Sequence, residues 1–558
     1  MRLTFTNKSE SAFFFNGYLF YKDTLMDQPG NAIFFASGDF DDFKEHITAS
    51  NGCFALTVIK DNELWAAVDR RRSYPLFYGQ KNGQFFLSDD PYWVKQKLGD
   101  TQPDPQASAE YWYMLYVLRD RTLAPSVKQL RAGQLLRVQS TVDGFKTQTV
   151  PYYRYLHSDS YEMDQDQLLP ALDEVSINVF QRLLKSARGR PIIVPLSGGL
   201  DSRFIVCMLK RLGADNVRCF SYGTPGCPEA RISHHIAESL GYPWTFISYR
   251  DFDWDAPDLQ QDRQQFFRFA SNLSAMPPIL EDWLAVRTMK KQGKLPDDAI
   301  FCPGHSGNFI SGGYIKPPIL SAKDEHQLTK LILNDWSPRM HWQMPDPDTL
   351  TSIKQNILET LTEMQTGCHW DPVKFANCWD WQEYEVKRII PLVKTYTFWG
   401  YGWRIPLWDA EMMDFWSRIP THLYLDKRLY QHYFASYSDS KFFGLYNFDL
   451  PELNLAYPGR FPPIHFLHKL LRYHTLTRYF FEYKRMVLRL LTKNYFDYLR
   501  IAGKRIFYRE PVTYSWVFMD KYGLDSIWNA DQYAPQPPPT DSSDVPVTVS
   551  QEAEVLQL

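Results

Sequence analysis

Six consecutive residues, Ser197-Gly198-Gly199-Leu200-Asp201-Ser202, bring together what a polyphosphate site needs. Two glycines let the backbone turn tightly and approach a ligand closely. If a helix opens here, its first N–H groups and those of the turn form a nest for an anion. Ser197 and Ser202 add hydroxyl donors, and the apolar Leu196 leads into the loop. Asp201 is the informative residue. A carboxylate beside a polyphosphate is repelled unless a cation lies between them, which is the usual role of a Mg²⁺ ligand. The competing reading is a glycine turn in which Asp201 caps a helix.

The flanking pattern supplies the elements that must hold such a loop. Ile192 to Leu196 is an apolar run bounded by turn residues, and a helix carrying Phe204, Ile205, Met208, Leu209 and Leu212 follows the hexapeptide, with Gly213 in the C′ place. Val217–Tyr222 reads as a strand, Ala230–Leu240 as a helix stopped by Gly241, and Trp244–Tyr249 and Ala299–Cys302 as further strands. Before them, Leu168, Leu169, Leu172, Val175, Val179, Leu183 and Leu184 recur at helical steps. Alternating strands and helices predict an α/β fold with a doubly wound parallel sheet. Residues 1–160 read differently. Phe54–Ile59 and Leu64–Val68 flank a polar turn, and Leu76–Gly79 and Phe85–Ser88 flank an Asn82-Gly83 hairpin signal, so this part is an antiparallel β-rich domain.

Composition narrows the classes. The 558 residues are 44% hydrophobic, 22% charged and 16% aromatic, which describes a folded chain with a large core. Sixty-one basic residues against 64 acidic ones give a net charge of −3, so no global field favours nucleic acid. The seven cysteines form no CxxC pair, which argues against zinc and a disulfide scaffold and for a reducing compartment. The N-terminus carries no apolar signal-like run, and a soluble cytoplasmic protein is the expectation.

At this point the chain resembles a known family. The hexapeptide is similar to the pyrophosphate-binding loop of the ATP pyrophosphatase group. Phe220-Ser221-Tyr222-Gly223-Thr224-Pro225-Gly226, the run His235–Gly241, Arg404-Ile405-Pro406-Leu407-Trp408-Asp409 and the block Gly304–Tyr314 resemble stretches of glutamine-hydrolysing asparagine synthetases. The last block stands where that family has Gly-Glu-Gly-Ser-Asp-Glu-Leu-Phe-Gly-Gly-Tyr. The resemblance runs from about Phe13 to about Arg460. It implies division into a truncated, Ntn-like glutaminase β domain (1–160) and an ATP pyrophosphatase domain with a helical C-terminal part (165–460). A helical basic extension (461–530) and a disordered tail (531–558) follow. It also implies an ATP-dependent ligase that adenylates a small-molecule carboxylate and joins nitrogen to it. Carried over by position, Leu196, Ser197, Gly198, Gly199, Leu200, Asp201 and Ser202 would hold ATP, with Asp201 on Mg²⁺. Tyr222 and Gly304 would line the adenosine pocket, and Tyr314 would lie near the acyl group.

The departures are as informative. Asn16-Gly17 and Asp69-Arg70-Arg71-Arg72-Ser73-Tyr74-Pro75-Leu76-Phe77-Tyr78 resemble glutaminase blocks, but the family's nucleophile is a cysteine at position two, and here that residue is Arg2. No glutamine hydrolysis is expected, and nitrogen would come from ammonia, a separate glutaminase or an amine. Asn308 and His305 stand where the family has acids, and its late lysine falls near Arg460. Glu385 reads either as a base beside Tyr314 or, preferred, as the partner of Lys387, Arg388 or a neighbouring helix. The tryptophans from Trp379 to Trp416 read as core rather than as stacking platforms. Residues 467–510 carry eleven basic residues against three acids. They read as a solvated packed face, or else as a peripheral membrane contact. Beside the ligase stand two other readings, a lactam or peptide cyclase and a non-catalytic scaffold. A role in surface-glycan synthesis rests on resemblance alone, and the oligomeric state is open.

Overall fold

The computed structural model describes residues 1–436, apart from 7–8, 29, 31–32, 143, 224, 250–251, 254–255, 279–281, 337–344, 366 and 368, together with 524, 527–530 and 547–548. Arg460, the basic stretch 467–510 and most of the tail lie outside these residues.

The N-terminal part holds two antiparallel sheets. One has the order β1 (Arg2–Phe5), β7 (Gln84–Ser88), β6 (Phe77–Lys81), β8 (Lys128–Gln129). The other runs β10 (Gly144–Pro151), β9 (Gln134–Thr141), β5 (Glu63–Val68), β4 (Ser50–Lys60), β2 (Ala12–Tyr21), with β3 (Thr24–Met26) also paired to β2. Asn82 and Gly83 both take positive φ between β6 and β7, as the hairpin signal required. Alternation explains why β4 is buried along nearly its whole length. Phe54, Leu56 and Val58 face one hydrophobic cluster with Phe40, Phe43 and Trp65, while Ala55 and Ile59 face another with Leu3, Phe5, Tyr78 and Leu87. The second cluster is the seam between the sheets.

Two segments from the far end of the sequence join this part. Ile527 and Ala530, which the sequence division places in a separate extension, are buried in its core; Tyr92 donates to the Ile527 carbonyl at 2.8 Å and Lys95 to that of Trp528 at 2.6 Å. Val547–Thr548, placed by composition in a disordered tail, pairs antiparallel with Ala12 and Phe13.

The second part opens with the helix Gln165–Ala187. Asp164 accepts from the Gln167 backbone and the Gln167 side chain reaches back, a complete capping box, and Arg188 at φ 52° ends the helix. Five parallel strands follow, in the order β13 (Trp244–Ser248), β12 (Val217–Gly223), β11 (Ile192–Pro195), β14 (Ile300–Phe301), β15 (Gly402–Trp403). The chain moves outward from β11 through β12 to β13, then crosses back to place β14 on the other flank of β11. The crevice between the carboxyl ends of β11 and β14 is therefore a topological switch point, where open α/β sheets take their ligands. The expected parallel sheet is present, with a fifth, two-residue strand that the sequence pattern did not disclose.

Candidate functional site

The hexapeptide lies at that switch point. Leu196 is buried and its N–H continues the ladder to the Phe220 carbonyl at 2.9 Å. Beyond it the loop is tied by its own hydroxyls. Ser202 Oγ accepts from the Ser197 N–H at 3.1 Å, the two hydroxyls lie 3.1 Å apart, and the Gly199 N–H donates to Ser197 Oγ at 3.2 Å. The helix Leu200–Arg211 then starts at Gly199, whose lack of a side chain leaves the terminus without a side-chain cap. Asp201 is inside the first turn, so the reading of this residue as the helix cap is set aside. The uncapped end is instead a place for an anion.

The loop after β14 presses against this one. A Cβ on Gly304 would lie 2.8 Å from the Ser202 nitrogen, and one on Gly307 would lie 2.2 Å from the Asp201 carboxyl carbon. These glycines are needed because backbone and carboxylate occupy the space a side chain would take. Among the described residues Asp201 Oδ1 makes no hydrogen bond, and its nearest charged neighbour is Lys427 Nζ at 3.8 Å. Desolvation raises the Asp201 carboxyl, with Lys427 opposing the rise, and lowers the Lys427 ammonium. Lys427 escaped the sequence reading because nothing in the run Asp426-Lys427-Arg428 marks it. The fold delivers it from a bend at which Asp426 and Lys427 both take positive φ.

Mg²⁺ needs only one or two carboxylates when substrate phosphates complete its shell. Asp201, with one unbonded oxygen beside two hydroxyls, fits that requirement. Among the described residues no group of three or more His, Cys, Asp or Glu could hold a metal without such help. Asn308, where the resemblance leads one to expect an acid, is exposed on the same loop.

Tyr222 is half-buried at the end of β12, its ring stacked on Tyr249 at 5.0 Å, one strand from the hexapeptide. Tyr314 closes the second loop against Tyr384, with ring centroids 5.8 Å apart. Glu385 corrects the preferred sequence reading. It pairs with neither Lys387 nor Arg388, because Lys387 is held by Glu383, one helical turn back, and by the carbonyls of Val117 and Arg119. The segment Asp380–Ile389 is a π-helix, and its wide turns aim Glu385 into the site. The carboxyl is fully buried; Ser306 Oγ donates to its Oε2, while among the described residues Oε1 makes no hydrogen bond. Burial pushes it up to about 7, against weaker lowering by Ser306, Tyr314 and Trp408. A carboxyl near neutrality can give or take a proton at physiological pH. Most of these tryptophans are core: Trp379, Trp381, Trp408 and Trp416 are almost wholly buried and Trp403 is buried, while Trp399 is half-buried. Trp408 also stacks on Phe309 at 4.9 Å beside Glu385.

The glutaminase-like blocks lead elsewhere. Arg2 starts β1 and pairs with Asp90 at 2.9 Å. Cys53 is buried in β4, its thiol raised by desolvation, and its closest partner is the Tyr18 hydroxyl at 3.6 Å. Asn16 and Gly17 pair with Ala55 and Phe54, and a Cβ on Gly17 would meet the Cys53 carbonyl. Asp69 is spent on its own turn, accepting from the N–H groups of Phe54, Arg71 and Ser73 at 2.8–3.1 Å.

Comparison with known proteins agrees with this geometry. Residues 184–436 match the asparagine synthase family model. A curated relative, a probable glutamine-hydrolysing asparagine synthetase of Acanthamoeba polyphaga mimivirus, is 28% identical over 199 residues, 33% of this chain and 32% of that protein. The chain thus spans about a third of the length of the relative it matches. Among solved structures, a glutamine phosphoribosylpyrophosphate amidotransferase from B. subtilis is 13% identical and covers 45% of this chain and 76% of its own, with a TM-score of 0.18. An allosteric regulatory enzyme of purine biosynthesis is 11% identical, covers 70% and 80%, and also scores 0.18. Likeness at that score carries no argument. The weight falls on the matched segment, which contains the hexapeptide, both site loops and Lys427: over residues 184–436 the chain is similar to the asparagine synthase family.

Proposed function

We propose that the chain is an ATP-dependent amide-forming ligase that activates a small-molecule carboxylate as its adenylate and joins nitrogen to it, without glutamine hydrolysis of its own. The observation that carries this is the unbonded Asp201 oxygen beside an uncapped helix N-terminus at the switch point of the sheet. Gly198, Gly199 and the first helical N–H groups take the phosphates, with Lys427 on the same side. Asp201 holds Mg²⁺, which supplies charge stabilisation to the departing pyrophosphate when bound. Tyr222 and Gly304 border the adenosine, and Tyr314 and Glu385 face the acyl group. Glu385 removes a proton from the attacking nitrogen, a role supported by its position near neutrality. Arg460 remains the positional counterpart of the late lysine. The nitrogen donor is ammonia, free or passed from a separate glutaminase, or a substrate amine; a glycan acid is one acceptor class to include. The reading of Asn308 as the mark of a non-catalytic scaffold loses ground, because Asp201, Glu385 and Lys427 keep a chemically coherent arrangement.

The test is pyrophosphate release from Mg-ATP against a panel of amino acids, sugar acids and peptides, each with and without ammonia. Asp201→Ala should abolish release by at least about a hundredfold while thermal unfolding is preserved. Equal release by the two proteins would remove the assignment.

A further inference from the structure

Ser306 stands in a backbone conformation that a side chain avoids. Its φ of 66° and ψ of 5° lie in the left-handed region, where glycine is at ease and serine is strained. Strain of this kind persists when the surroundings over-determine it, and it gathers at functional sites. What the serine gains is one hydroxyl bond. Both partners are buried, Ser306 at 6% exposure and Glu385 at 0%, and Ser306 Oγ donates to Glu385 Oε2. Among the described residues no cation pairs with Glu385, and its neighbour Lys387 is bound to Glu383.

We propose that Ser306 is a positioning residue: it ties Glu385 Oε2 to the loop that packs on Asp201, and so leaves Oε1 free for a nitrogen-bound proton of the incoming amine. The role of Glu385 rests on the proposed function; the link between the two residues does not.

The same loop explains why the tie matters. Gly307, the next residue, touches the Asp201 carboxylate, and Gly304 touches the Ser202 backbone. A phosphate held by the hexapeptide and a proton acceptor held by Ser306 are thereby referred to one short segment. The titratable groups around the pair are the phenols of Tyr314 and Tyr384, with Asp380 acting on both from the same π-helix and His305 beside Ser306. Burial pushes His305 down to about 4, so it is neutral and offers no competing charge.

Three variants separate tie from strain. Ser306→Gly removes the hydroxyl and relieves the backbone, Ser306→Ala removes the hydroxyl and keeps the strain, and Ser306→Thr keeps a hydroxyl. The Glu385 carboxyl is titrated by infrared difference spectroscopy, with Glu385→Gln as the blank, and the pH profile of amide formation is recorded beside it. In Ser306→Gly and Ser306→Ala the midpoint should rise by about half a unit or more, because a donor to the ionised form is gone. The acidic limb of the amide-formation profile should move by the same amount, and Ser306→Thr should restore both. An unmoved midpoint in Ser306→Gly and Ser306→Ala overturns the proposal. If no acceptor supports amide formation in the unaltered protein, the infrared midpoint still decides the Ser306–Glu385 tie, and only the ligase reading falls.

Discussion

Replacing Glu385 by glutamine should make the protein more stable and less active, with the gain in stability appearing only at higher pH. Glutamine keeps the shape and an acceptor for Ser306 but cannot ionise. The carboxyl's ordinary value is 4.5, and burial takes it to about 7 in the fold. The folded state therefore binds this proton more tightly than the unfolded state does. The stabilisation is complete below pH 4.5 and is lost as pH rises through 7. The gap is worth about 3 kcal/mol, at roughly 1.4 kcal/mol per pH unit. Because the side chain is fully buried, solvent does not screen that figure. Unfolding by urea is followed for both proteins from pH 5 to pH 8, each at constant ionic strength. The difference between the two stability curves should open by about 2.5 kcal/mol across that range, whatever constant offset the amide introduces. Amide formation by the variant should fall by about a hundredfold or more, the usual contribution of a positioned base. Parallel stability curves would refute the reasoning, since a carboxyl that costs nothing to ionise is not held as described.

Three further outcomes follow from the same geometry. Arg71→Ala should cost about 3–5 kcal/mol, because Arg71 is 3% exposed and its loss leaves the Gly52 and Trp408 carbonyls without their cationic donor; a thermal midpoint unchanged from the parent would contradict it. Glutamine should yield no glutamate with the purified chain, and a thiol alkylator should not label Cys53 in the native state; rapid labelling would show the strand to be open. Asn308→Asp should lower the half-saturating Mg²⁺ for pyrophosphate release, since a second anionic oxygen would be added on the loop that packs against Asp201; an unchanged or higher value would mean that position 308 does not reach the metal.

Where the sequence was legible, the signal was local. Glycine spacing, an apolar run before it and an amphipathic run after it are short-range patterns, and they placed the hexapeptide on the correct strand–helix junction. The Asn82-Gly83 hairpin was legible for the same reason. β15 was not, because two residues carry no period, and Gly402–Trp403 is a strand only through its register with Ile300 and Phe301. Glu385 misled because Lys387 and Arg388 are near it in sequence. Helical neighbours are four apart, and that rule pairs Glu383 with Lys387. Ile527 was hidden by composition, since its burial depends on Tyr92 and Leu98, more than four hundred residues earlier.

The N-terminal part bears on the site through direct contacts. Asp69 holds a turn from which three arginines leave in succession. Arg70 reaches Asp414 at 2.8 Å, and its carbonyl accepts from the Trp381 indole at 2.7 Å. Arg71 donates to the Trp408 carbonyl, and Asn51 donates to Asp409 at 2.9 Å and accepts from the Ala410 N–H at 3.0 Å. Tyr74 stacks on Trp403 at 5.7 Å, and Arg404 lies over Tyr18 at 3.9 Å. Trp403, Arg404, Trp408 and Asp409 are thus each met from outside residues 184–436. Trp408 passes the constraint inward, because its ring stacks on Phe309 of the Ser306 loop and acts on Glu385. A chain cut before residue 165 would lose that clamp on the segment carrying Trp408. The β-rich part therefore bears on the site through packing, because the segment carrying Trp408 is built against it.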